Sequence, residues 1–165
     1  MSDDRKWESL PDPAQVAAFA AFRRPVVKAD HSLTDDPVTA SDLRPGVDPV
    51  LARRVYAGSE GTLDIVPGHG TLTFISIGAD GSAVAGQTTT ALAARDGLGF
   101  VRFMTSHGHT FVGVLPAGGH DLRIVDRGRH ESAGPLSADD GYWITVADPI
   151  AMRWTRPDGT TFPAA

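Results

Sequence analysis

The run TLDIVPGHGTLTFISIGADG, residues 62–81, decides the fold. Two apolar, β-branched stretches, 63–66 and 72–77, flank Pro67-Gly68-His69-Gly70, and Asp80-Gly81 supplies the next reversal. Short runs of this composition, punctuated by proline and glycine, read as strands joined by tight turns. Further on, residues 100–105 and 110–115 face each other across Ser106-His107-Gly108-His109, and Pro116-Ala117-Gly118-Gly119 turns the chain into 122–125. These three strands are expected to form the centre of one sheet. Residues 126–134 are polar and read as a hairpin tip or loop, after which Asp139-Asp140-Gly141 introduces a strand over 142–146. The last hairpin joins 152–155 to 160–162 through Arg156-Pro157-Asp158-Gly159, where proline presets φ and glycine is free to take positive φ. Residues 88–95 fit a turn or two of helix and an extended chain equally.

Upstream the signals are helical. Asp12 reads as an N-cap with Pro13 at the first helical position, and the spacing predicts a helix over 14–22 closed by Arg23-Arg24 and Pro25. Its apolar face is Val16, Phe19 and Ala20. Residues 25–46 carry Asp35-Asp36-Pro37 and Arg44-Pro45-Gly46 and read as an irregular surface segment. Asp48-Pro49 repeats the cap signal and predicts a short helix over 50–57 that ends at Gly58. The expected fold class is therefore mainly β: an antiparallel β-sandwich or small barrel of hairpins, with an N-terminal helix and a short second helix. Residues 1–61 are expected to pack as a helical and irregular segment on an antiparallel β domain of residues 62–165.

Composition narrows the function classes. A chain of 165 residues with 41% hydrophobic and 21% charged residues has ordinary globular usage and enough length for one core without metals or disulfides. A net charge of -5 with scattered cations argues against nucleic acid as partner, and Arg23-Arg24 and Arg53-Arg54 read as cations closing helix ends. The absence of cysteine removes disulfides, thiolate nucleophiles and cysteine-ligated zinc. No signal-like or membrane-spanning apolar stretch is visible, so the expectation is a cytoplasmic protein without a membrane partner.

Four pieces of the chain together resemble an uncharacterised family of small β-rich proteins common in actinobacteria. They are Phe19-Ala20-Ala21-Phe22-Arg23-Arg24-Pro25, Ile65-Val66-Pro67-Gly68, Gly113-Val114-Leu115-Pro116-Ala117-Gly118 and Trp154-Thr155-Arg156-Pro157-Asp158-Gly159. The resemblance implies a similar fold and no assigned activity. Members often carry a cysteine on the strand after the Pro-Gly turn, near the position where this chain has Thr73.

Candidate chemistry is sparse. His107 and His109 lie two apart, so on a strand both imidazoles would point to one face and could hold a transition metal with His120 as third ligand, in a cupin-like manner. Such a His-x-His pattern continues with a glutamate, which residues 110–114 lack, and a Gly-bearing turn explains the same histidines by backbone need alone. Ser106 beside His107 has no nucleophile elbow around it. Asp35-Asp36 and Asp139-Asp140 read as turn carboxylates, and no phosphate-binding glycine motif is present. Tyr142, Trp143 and Trp154 are candidates for a stacking platform, but alternation sends Tyr142 and Trp143 to opposite faces.

The reading favoured by this sequence is a non-catalytic binding or protein-interaction module with no cofactor. The alternatives are a small metal-dependent β-barrel enzyme using His107 and His109, with His120, Asp121 or Asp126 completing the site, and a self-assembling structural subunit. The expected partner is a protein or a second copy of the chain, and the small-molecule ligand, if any, is not specified by these residues.

Overall fold

Pro67-Gly68-His69-Gly70 and Asp80-Gly81 do reverse the chain, and the strands they separate build the first sheet. The computed structural model describes residues 10–31, 47–105 and 108–163. Its first sheet is β1 (Arg53–Gly58), β2 (Gly61–Pro67), β3 (Thr71–Gly78) and β4 (Ala83–Thr89), paired antiparallel in chain order. The second sheet has the order β5 (Leu98–Thr105), β6 (Gly108–Val114), β9 (Gly141–Val146). The third has the order β11 (Thr161–Phe162), β10 (Pro149–Thr155), β7 (His120–Asp126), β8 (Glu131–Ala133).

Side-chain alternation in the second sheet stacks these into three layers without a closed barrel. Val112, Val114 and Trp143 face the first sheet, where they pack with Leu63, Ile65 and Leu72 and with Phe19 and Phe22 from the N-terminal segment. Phe111, Tyr142 and Ile144 face the other way, against Leu122, Ile124 and Trp154 of the third sheet. A middle sheet buried on both faces needs apolar residues at successive positions, which Tyr142-Trp143-Ile144 provides. The outer face of the first sheet is covered by the chain before β1, where Ala52, Val66 and Ile75 are buried with Val47 and Leu51 packed against them.

One row across the middle sheet is conspicuously small. Gly113 is paired with Gly99 on one side and with Tyr142 on the other. A Cβ at Gly99 would stand 2.3 Å from the Tyr142 hydroxyl, and one at Gly113 only 2.4 Å from it. The Tyr142 ring therefore lies across both glycines and supplies the bulk that they omit.

The N-terminal helix α1 (Pro13–Ala18) starts where the cap signal places it. Asp12 and Gln15 form a reciprocal capping box with Pro13 at the first position. It is shorter than the expected 14–22, because Phe19 turns extended at φ -130 and ψ 127 so that its ring can enter the core, and a single 3-10 turn over Ala20–Phe22 follows. Gln15 is fully buried and donates from Nε2 to the carbonyls of Gly68 and Thr71 at 2.7 and 3.0 Å, which fastens α1 to the β2–β3 turn. Arg23 caps the end of α1 as expected, bonding the Val16 and Ala17 carbonyls.

Three expectations are corrected. Residues 50–57 are not a helix: Asp48 caps a 3-10 turn of three residues, Pro49–Leu51, and the chain then enters β1. Val55 and Tyr56 favour a strand, and the ladder to β2 outweighs a cap signal worth one turn. The boundary after residue 61 accordingly falls inside the β1–β2 hairpin. The strand over 122–125 does not join β5 and β6, since β9 occupies that side of β6 and β7 pairs with β10 in the third sheet. Gly108 and His109 belong to β6 rather than to the turn before it. Residues 88–95 divide at Thr89, which ends β4 and caps the helix α2 (Thr90–Asp96). Among the described residues no helix is long and apolar enough to cross a membrane.

Candidate functional site

Each sheet edge exposes unpaired N–H and C=O groups, and folded proteins guard such edges because they template pairing with other chains. Among the described residues these edges differ in length, covering and polarity. The outer edge of β1 is tied by side chains: Asp30 accepts the Arg54 amide at 2.8 Å, Arg24 donates to the Arg54 carbonyl at 3.0 Å, and the Ser137 hydroxyl donates to the Val55 carbonyl. The side chains thus stand in for a neighbouring strand. β9 lies against β1. The edge strand β4, sequence AVAGQTT, carries no exposed large apolar side chain, while β8 has three residues and β11 only two, so that β10 has no strand beside its residues 149–153, where Ile150 is the one exposed large apolar residue.

β5 is the longest strand that is open on one side. It has eight residues, LGFVRFMT, and pairs only with β6; among the described residues no backbone hydrogen bond reaches its outer side. Val101 and Phe103 are each 43% exposed and Met104 is 74% exposed. A bulge falls between Val101 and Phe103 in the pairing with β6. It turns Arg102 inward, where its guanidinium donates to the Ser76 carbonyl and hydroxyl at 2.8 and 2.7 Å and to the Ser82 carbonyl and hydroxyl. The ring planes of Phe103 and Trp143 lie beneath the same guanidinium. Burial lowers the Arg102 pKa from its ordinary value, and no carboxylate forms an ion pair with it among the described residues. The only charge on β5 is therefore withdrawn from the edge, which is left apolar. The strand-to-strand partner of Met104 is His109, whose buried Nδ1 has no hydrogen-bond partner and whose ring stacks on Phe111.

The densest charged cluster has no capacity left for a ligand. Arg24 spends Nε on Asp139 at 2.9 Å, Nη1 on Asp30 and the Pro25 carbonyl, and Nη2 on Asp30 and the Arg54 carbonyl, which uses all five N–H groups of a guanidinium. Asp30 accepts four bonds in return, from Arg24 twice and from the Val27 and Arg54 amides. Burial pushes Asp30 up, but these bonds reverse it and leave the carboxyl well below the usual range. Arg54 and Asp64 form a second, more buried pair at 3.1 Å. There burial wins over Arg54 and pushes Asp64 up to about 6.

These opposite shifts predict a pH optimum. The folded state binds a proton at Asp64 more tightly than the unfolded chain, whose value is 3.8, so stability rises as pH falls from about 6 towards 4. The gain is on the order of 2–3 kcal/mol. Asp30, being depressed, loses its contribution as pH falls below the ordinary carboxylate value. Urea midpoints between pH 7 and pH 3 should pass through a maximum, and Asp64→Asn should flatten the neutral-side limb.

Of the proposed metal ligands, His107 lies outside the described residues, as do Ser106, Asp35 and Asp36. His109 is the second residue of β6 and His120 opens β7, with most of β6 and the turn after it between them. His120 is exposed and its Nδ1 contacts the Gly118 carbonyl. Asp121 pairs with Arg123, and Asp126 accepts the His130 amide. Among the described residues there is no group of three or more His, Asp or Glu side chains placed to hold a metal. Asp139 is held by Arg24, while Asp140 takes the left-handed conformation at φ 65 that the turn requires. Tyr142 and Trp154 are core residues and Trp143 is nearly so, stacked on Tyr56.

A shallow apolar cleft of about 450 Å³ runs between Ala14, Ala17, Ala94, Ala117 and Pro157, with Trp154 at its floor. Arg156, at its rim, is bonded to the Thr161 and Arg95 carbonyls and lies over Trp154. The chain has no match among protein-family models, curated proteins or solved structures. Nothing in the string LGFVRFMT marks it as an edge. The one local signal was a run of eight residues with a single charge, and neighbour order decided the rest.

Proposed function

We propose that the chain is a non-catalytic interaction module that accepts an extended protein segment along the outer edge of β5. One observation carries this reading: β5 is the longest strand whose outer side receives no backbone hydrogen bond among the described residues, and it has three exposed large apolar side chains, more than any other edge strand. Strand addition of this kind draws affinity from main-chain hydrogen bonds and specificity from alternate side chains. Val101 and Met104 would grip an added strand on one face and Phe103 on the other.

The test is a titration of isotopically labelled protein with a capped peptide of alternating valine and threonine, followed by amide chemical shifts. Shifts are expected along β5 and not along β4. Val101→Lys with Met104→Lys, both at exposed positions, should weaken binding at least about tenfold, ~1.4 kcal/mol, with an unchanged melting temperature. Shifts centred on β4 or on the Arg156 cleft, or binding indifferent to the two lysines, would contradict the proposal.

A further inference from the structure

The apolar cleft between α1, α2 and the last hairpin is remote from the β5 edge and joins a preformed apolar floor to an oriented cation. We propose that it binds a small amphipathic carboxylate, whose apolar chain lies in the cleft over Trp154 and whose anionic end meets Arg156.

The cleft exists because its walls carry short side chains. Ala14 and Ala17 stand three apart on α1 and share one face of that helix, Ala94 belongs to α2, and Ala117 and Pro157 come from two turns. Backbone bonds hold these walls apart at fixed spacing. The Ala117 amide donates to the Ala18 carbonyl at 2.7 Å, and Arg156 Nη2 donates to the Arg95 carbonyl at 3.3 Å, tying the hairpin to the end of α2. The volume of about 450 Å³ falls in the range of small-molecule pockets, about 300–1,000 Å³. Apart from the indole, Arg156 is the one polar side chain that lines it. A sugar or nucleotide would therefore leave most of its polar groups unmatched there, whereas an apolar chain gains by burial.

Charge selects the other end of the ligand. Arg156 is fixed over the Trp154 and Phe162 rings, 5.5 and 5.3 Å from their centroids, and its Nη1 and Nη2 donate to the Thr161 and Arg95 carbonyls. Both acceptors are neutral, and among the described residues no carboxylate forms an ion pair with this guanidinium. Asp96 and Asp158 sense its charge, but each is bound elsewhere. Asp96 accepts two bonds from Arg95, and Asp158 accepts from the Thr160 amide and hydroxyl. Of the five N–H groups of a guanidinium, the Nε–H and one on each terminal nitrogen are left unspent. A carboxylate complements such a fork by accepting charge-assisted bonds, and a planar group already held by carbonyls and rings loses little freedom in making them.

The probe is octanoate, titrated well below its micelle threshold into isotopically labelled protein, with octanamide and acetate as controls. Amide shifts are expected at Ala17, Ala94 and Ala117 and not along β5. In the unmodified chain octanoate should bind at least about tenfold more tightly than octanamide, which keeps the length and lacks the charge. Acetate, which keeps the charge and lacks the chain, should produce no shifts at the same concentrations. Arg156→Gln should bring octanoate to the level of octanamide, and Ala94→Phe, at an exposed helical position, should fill the cleft and abolish binding of both. Equal affinity for octanoate and octanamide in the unmodified chain overturns the assignment to Arg156, and that comparison decides the point even if Arg156→Gln fails to fold. Absence of shifts at the three alanines, or octanoate binding that survives Ala94→Phe, overturns the site itself.

Discussion

Replacing Asp30 by alanine should cost the fold about 3–5 kcal/mol, the range for removing one partner of a buried, fully bonded ion pair. Asp30 is 1% exposed and accepts from two guanidinium nitrogens and two backbone amides. Its removal strands Arg24 beside Asp139 alone and leaves the Val27 and Arg54 amides without acceptors. Asp30→Asn should recover little, because an amide nitrogen then faces donors on at least one side. Exposed Arg123 with Asp121 provides the contrast, where Arg123→Ala should stay within about 1 kcal/mol. Urea unfolding with a constant slope measures both. The loss should be accompanied by association through β1, since the pair also closes that edge, and light scattering of Asp30→Ala against Arg123→Ala distinguishes an opened edge from simple instability.

Gly113→Ala should be nearly as damaging, at about 2–3 kcal/mol, which corresponds to a fall of roughly 5–10 °C in Tm for a chain of this size. A Cβ there would stand 2.3 Å from the Leu98 carbonyl oxygen and 2.4 Å from the Tyr142 hydroxyl. The first neighbour is backbone in the adjacent strand and the second is a ring locked between two layers, so neither can step aside cheaply. Gly81→Ala is the matched control: no atom lies within 4 Å, and only its positive φ of 86° resists the change. Differential scanning calorimetry should rank Gly113→Ala well below Gly81→Ala.

Hairpins were legible because the residues that reverse a chain are local: Pro67-Gly68, Asp80-Gly81 and Pro157-Asp158-Gly159 act within four residues. The cap of α1 was legible for the same reason, and Asp12 with Gln15 already spelled a capping box whose far side could have pointed to a buried glutamine. Layer assignment was not local. Whether β7 or β9 lies beside β6 depends on residues about 30 positions apart, and both strands have apolar alternation suited to either place. The reading of 50–57 as helix failed because Asp48-Pro49 and Gly58 are true cap residues around a segment that the β2 ladder claims. Arg23-Arg24 divided in a way that no pattern reveals: Arg23 caps α1, whereas Arg24 reaches Asp139 across the fold and, with Asp30, acts as a surrogate strand for β1. The candidate edge was hidden for the reason that hid the layers, since LGFVRFMT would serve equally as an inner strand.

The most direct measurement is amide hydrogen exchange of β5 in protein dilute enough to be monomeric. The amides of residues 98–105 that point away from β6 should exchange close to the rate of an unprotected chain, while those bonded to β6 and the Arg54 amide held by Asp30 stay protected. Uniform protection along β5 in the monomer would mean that its outer side is already satisfied, and the edge would not be the place where this protein meets its partner.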